Sequence, residues 1–122
     1  MSVLDNFNLI EKLLLNTPGG GIHWEKTGSP GNFQVSITNY ILTIKKYSEE
    51  QDPDCSLRID NSDGDLVEEI TYSDFTELRT KSNKPGQSVL YDLHDAARHS
   101  AMRSDKAVKE ITTALDELPE PF

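Results

Sequence analysis

The chain carries a single cysteine, Cys55, among 122 residues, so no disulfide can form within it and the fold must rest on its core. It lacks the basic stretch followed by an apolar stretch that marks a secretory signal, and a reducing cytoplasm is the expected setting. No apolar run exceeds three residues, as at Leu13-Leu14-Leu15, far short of the ~18 that a membrane span needs. Basic residues are scarce where they would matter most. Residues 48–79 hold two of them against eleven acidic residues, a local balance of −9 that equals the net charge of the whole chain. Such a surface repels a phosphate backbone, so nucleic acid is not expected as its partner; the strip reads first as a solvated face that keeps a sheet edge soluble, and second as a docking surface for a basic protein partner.

What the chain does have is periodicity. Phe33, Val35 and Ile37 alternate with polar residues, followed by Tyr40, Leu42 and Ile44, then Leu57 and Ile59, then Leu66 and, one frame over, Val67 and Ile70. Alternation of this kind marks strands with one face buried and one wet. The frame passes from odd to even positions at Thr38-Asn39, which predicts a two-residue turn or a bulge there. Residues 60–65 read as a second hairpin turn, with Gly64 supplying positive φ. Strand follows strand with no room for a crossover helix, so residues 33–72 form an antiparallel meander. Residues 22–26 add a short strand ahead of it.

Helices flank the meander. Residues 2–16 place Val3, Leu4, Phe7, Ile10, Leu14 and Leu15 at helical spacing, with Ser2 as N-cap, and Thr17-Pro18-Gly19-Gly20-Gly21 ends the helix. Ser73 starts a short helix carrying Phe75 and Leu78. From Gln87 onward Leu90, Leu93, Ala97 and Ala101 share one face, and a last helix places Val108, Ile111, Leu115 and Leu118 three, four and three residues apart. The prediction is an α+β domain over residues 1–118: an N-terminal helix, an antiparallel β-meander of three to five strands, and C-terminal helices packed on one sheet face. Residues 119–122 form a flexible tail. The expected core is Phe7, Leu14, Val35, Ile37, Leu42, Ile44, Leu57, Ile59, Val108, Ile111 and Leu115. The layout looks like that of small bacterial proteins, a likeness of layout alone that carries no site.

Chemistry-bearing motifs fail on spacing or context. With Gly64 at the glycine position of a calcium loop, the first and last ligand positions fall on Ile59 and Ile70, whose side chains offer no oxygen. Gly19-Gly20-Gly21 has a helix before it and a strand after it, the reverse of a phosphate-binding loop. His94 and His99 are five apart, about 140° from one another around a helix, and cannot share a metal. Cys55 follows an acidic loop, which disfavours the thiolate. Glu68 and Glu69 point to opposite faces of a strand. No catalytic, cofactor-binding or metal-ligating residue is therefore assigned, and no cofactor is expected.

The leading expectation is a non-catalytic protein-protein interaction module of the adaptor, chaperone-like or immunity type. Its candidate partner-binding residues are the loop and turn carboxylates Glu49, Glu50, Asp52 and Asp63, together with Tyr91, His94 and Arg98 on the helix after residue 87. Two alternatives stand beside it: a small-molecule-binding domain with a pocket between sheet and helices near Trp24, Tyr40 and Tyr72, and an enzyme of a class the motifs do not name.

Overall fold

The computed structural model describes residues 3–18, 21–47, 54–80 and 82–119, and within them the chain forms an α+β fold. Helix α1 spans Val3–Asn16; strands β1 (Glu25–Lys26), β2 (Phe33–Ile37), β3 (Tyr40–Tyr47), β4 (Asp54–Asp60) and β5 (Leu66–Thr71) follow; a 3-10 turn at Tyr72–Phe75 leads to α2 (Ser88–Met102) and α3 (Ser104–Asp116). The five strands lie in sequence order, each antiparallel to the next.

The change of frame at Thr38-Asn39 is a two-residue hairpin loop, with Ile37 opposite Tyr40 and Thr38 at φ 54°. The second hairpin is built around Asn61. Its N–H donates to Asp65 O at 2.9 Å, its carbonyl accepts from Gly64 N at 3.0 Å, and its Oδ1 accepts from the N–H groups of Asp63 and Asp65, both at 3.0 Å. Gly64 sits at φ 88°, where a Cβ is strained. Past this turn Leu66 faces Asp60 and Glu68 faces Ile59, so Val67 has no opposite residue. That bulge puts Leu66 and Ile70, four residues apart, on opposite faces of the sheet, Leu66 exposed and Ile70 buried.

Pairing places Phe33, Leu42, Ile44, Leu57, Ile59 and Ile70 on one sheet face, where all are buried. Leu90, Leu93 and Ala97 of α2 are fully buried over this face, and α2 meets β1 to β4. Helix α1 packs on α2 and on the 3-10 turn, with the Phe7 and Phe75 rings 5.1 Å apart. The other sheet face carries Gln34, Thr43, Arg58 and Glu69 in one cross-strand row.

Three expectations about the core need correction. Val108, Ile111 and Leu115 are 62%, 60% and 61% exposed, so the apolar face of α3 does not enter the core. Within α1 it is Leu13 that is buried, while Leu14 is half-buried and Leu15 is 79% exposed. Val35 and Ile37 lie at the margin of the core, half-buried, rather than inside it. The expected N-cap Ser2, the linker residue Gly20 and residues 120–122 of the expected tail lie outside the described residues.

Candidate functional site

Helix α3 offers the clearest functional surface. On a helical wheel of about 100° per residue, Ala107, Val108, Ile111, Ala114 and Leu115 fall within about 120° of one another, and Leu118 follows just past the helix end. Lys106, Lys109, Glu110, Asp116 and Glu117 occupy the rest, so the sequence alone explains why these residues form an amphipathic helix. Its apolar face stays open because of how α3 is joined to α2. A single residue, Arg103, separates the helices; it takes the left-handed conformation (φ 52°, ψ 50°) and donates its N–H to His99 O and Ser100 O, closing α2. Two helices that fold back on one another need a loop of about two to five residues. One residue is too few, and among the described residues α3 meets chiefly α2.

The acidic stretch forms a second surface. Asp63, Asp65 and Glu69 are exposed on the β4–β5 hairpin, and Asp74 and Glu77 are exposed just after it. Arg58 is paired with Asp60 at 2.8 Å. Asp74 is held in place by accepting the Thr71 N–H at 3.0 Å. Since Asn61 Oδ1 already accepts two backbone N–H groups, the turn spends its best-placed oxygen on its own shape. Among the described residues no group of three His, Cys, Asp or Glu side chains is placed to hold a metal ion. Glu49, Glu50 and Asp52 fall outside the described residues.

Along α2 the three candidate residues separate. Tyr91 is half-buried, its ring 6.0 Å from that of Tyr72 and 5.8 Å beneath Lys46 Nζ. Arg98 is exposed and pairs with Asp95 at 3.2 Å. His94 is not on the surface: it is 7% exposed, packs at 5.5 Å on Phe33, and its Nε2 donates to Gly31 O at 2.7 Å. Burial lowers the His94 pKa from its ordinary 6.5, the cations Lys46 and Arg98 push the same way, and the Gly31 carbonyl and Asp95 oppose them. The ring is thus a neutral strut between α2 and the loop before β2. His94 therefore offers a partner almost no exposed surface.

The three aromatics proposed to line a ligand pocket do not converge. Trp24 is buried and donates its indole N–H to Thr17 Oγ1 at 3.0 Å. Tyr40 opens β3 beside the hairpin loop, whereas Tyr72 follows Thr71, which pairs through Ser56 with Lys45. Five residues of extended chain separate those two levels of the sheet, about 17 Å. A shallow groove of about 340 Å³ does exist elsewhere, between α1 and the start of α2, lined by Glu11, Leu14, Leu15, Val89 and Asp92.

Comparison of the chain with protein-family models, with curated proteins and with solved structures found no match. No helix among the described residues is long and apolar enough to cross a membrane.

Proposed function

We propose that the protein is a non-catalytic protein-protein interaction module whose docking element is helix α3. The observation that carries this reading is the exposure, at 60–62%, of the large apolar side chains Val108, Ile111 and Leu115 on one helix face, with Leu118 equally exposed just past its end. Scattered surface apolar residues are ordinary, but a contiguous stripe rimmed by charges is the form that interaction surfaces take. The acidic hairpin complements it by favouring a protein with a basic surface over a nucleic acid.

The test is a pull-down from the native host with three versions of the full chain: wild type, Ile111→Ser with Leu115→Ser, and Asp63→Lys with Glu69→Lys. The α3 pair should lose the bound protein while the thermal melt stays within a few degrees of wild type. The hairpin pair should retain binding but slow association and reduce its dependence on salt. Retention of the bound protein by the α3 pair would refute this reading.

A further inference from the structure

The two edges of the sheet are finished differently. β1 has two residues, and the chain just before it is held by α2, where Ser100 Oγ accepts the Trp24 N–H at 3.0 Å. β5 has six residues, and among the described residues no strand lies beyond it. Its outward backbone donors are taken by carboxylates. The Glu69 N–H donates to Glu68 Oε1 and the Thr71 N–H to Asp74 Oδ2, both at 3.0 Å. In an antiparallel pair the N–H and C=O of one residue point the same way, so Glu69 turns its carbonyl away from β4 as well. The two carboxylate oxygens stand where the carbonyls of a further strand would accept. Leu66 and Val67, 49% and 50% exposed, lie at the hairpin end of this edge.

Charge decides what can take that place. Residues 63–77 hold six carboxylates, Asp63, Asp65, Glu68, Glu69, Asp74 and Glu77, and no cation. Arg58, opposite Glu69, is already paired with Asp60 at 2.8 Å. This edge set against the same edge of a second copy would bring Glu68 and Glu69 against their own kind, and like charges opposite one another destabilise a sheet. A cationic strand meets the reverse. We infer that the outer edge of β5 is a docking site for an extended basic segment of a protein partner, which adds to the five strands as a sixth. Its carbonyls take the N–H groups of Glu69 and Thr71, and its own N–H groups reach the outward carbonyl of Glu69. The released carboxylates of Glu68 and Asp74 turn to its Lys or Arg side chains. The same two carboxylates thus refuse a second copy and admit a basic strand. No residue of α3 takes part, so this docking and that of α3 fail separately.

The experiment is an NMR titration of the full chain with a short, end-blocked peptide of alternating Lys and Val at about 50 mM salt. The peptide should slow hydrogen exchange at the Glu69 and Thr71 amides about tenfold or more. Raising salt to about 500 mM should weaken binding about tenfold. Methylating every backbone nitrogen of the peptide keeps its charge and removes the donors that strand addition needs, and should weaken binding about tenfold or more. Glu68→Gln with Asp74→Asn keeps an acceptor oxygen at each N–H without its charge, and should weaken binding roughly three- to tenfold. Equal binding of the methylated peptide overturns strand addition. Unchanged binding to the Gln and Asn variant, or equal binding of an alternating Glu and Val peptide, overturns the basic occupant. Unchanged exchange at Glu69 and Thr71 with the Lys and Val peptide in excess overturns docking at β5 outright and leaves the two carboxylates as guards of the edge. Slowed exchange at these amides on concentrating the chain alone makes a second copy the occupant and overturns the basic segment equally.

Discussion

Helices α2 and α3 are neighbours of 15 and 13 residues joined by one residue, and both carry an apolar stripe at helical spacing. α2 buries Val89, Leu90, Leu93 and Ala97 completely or nearly so, while α3 leaves every large apolar side chain about three-fifths exposed. The stripe of α3 is the cleaner of the two, since that of α2 includes the polar His94. Amphipathic period therefore reports that a face will be covered, and says nothing about what covers it. What separates the two helices is connection. A loop at residues 76–87 lets α2 return across the sheet, where Gly86 approaches so closely that a Cβ there would stand 2.7 Å from Leu78 O. Arg103 gives α3 no such return.

The comparison is broken most forcefully from the α2 side. Leu93→Ala, or Leu57→Ala in the strand beneath, empties space at a side chain with no exposure and should cost about 2–5 kcal/mol in urea melts. Losses below about 1 kcal/mol at both would mean that the core does not lie between α2 and the sheet.

The next effect belongs to the same packed body. Gly64→Ala places a Cβ at φ 88° and should destabilise by about 1–2 kcal/mol, although nothing lies within 4 Å of that Cβ. A neutral result would show that the turn adapts, and that the meander is less fixed than the pairing implies.

His94 sharpens the contrast through pH. Its lowered pKa means that the fold accepts the neutral ring, so its contribution is whole above the ordinary value of 6.5 and declines as pH falls below it, where the unfolded chain takes the proton more readily. Wild type should lose more stability than His94→Gln between pH 7.5 and pH 5.5. Parallel pH profiles for the two would remove His94 as a buried neutral strut.

Much of this fold was legible because the strands announce themselves locally. The frame change at Thr38-Asn39, the glycine at 64 and the alternation from Phe33 to Ile59 each follow from which side of a pleat a residue occupies, and the α+β order followed from them. Leu13-Leu14-Leu15 was not legible, because three leucines in succession point three ways and period alone does not choose among them. Nor was His94: its partner is a carbonyl 63 residues away, at Gly31, which no local pattern reveals. The α3 face was seen as apolar and assigned to the wrong neighbour. The sequence held no signal that would have corrected it: Arg103-Ser104-Asp105-Lys106 is a polar run that reads as a turn, and only the structure shows that Arg103 alone interrupts the helix.

The account stands or falls on the smallest effect. The urea stability of Ile111→Ala with Leu115→Ala should lie within about 0.5 kcal/mol of wild type, as for other exposed positions. Alanine should gain tenths of a kcal/mol through its helix propensity. A loss of about 2–5 kcal/mol, matching that of Leu93→Ala, would show that α3 packs against its own domain and would contradict the central claim that its apolar face is reserved for another molecule.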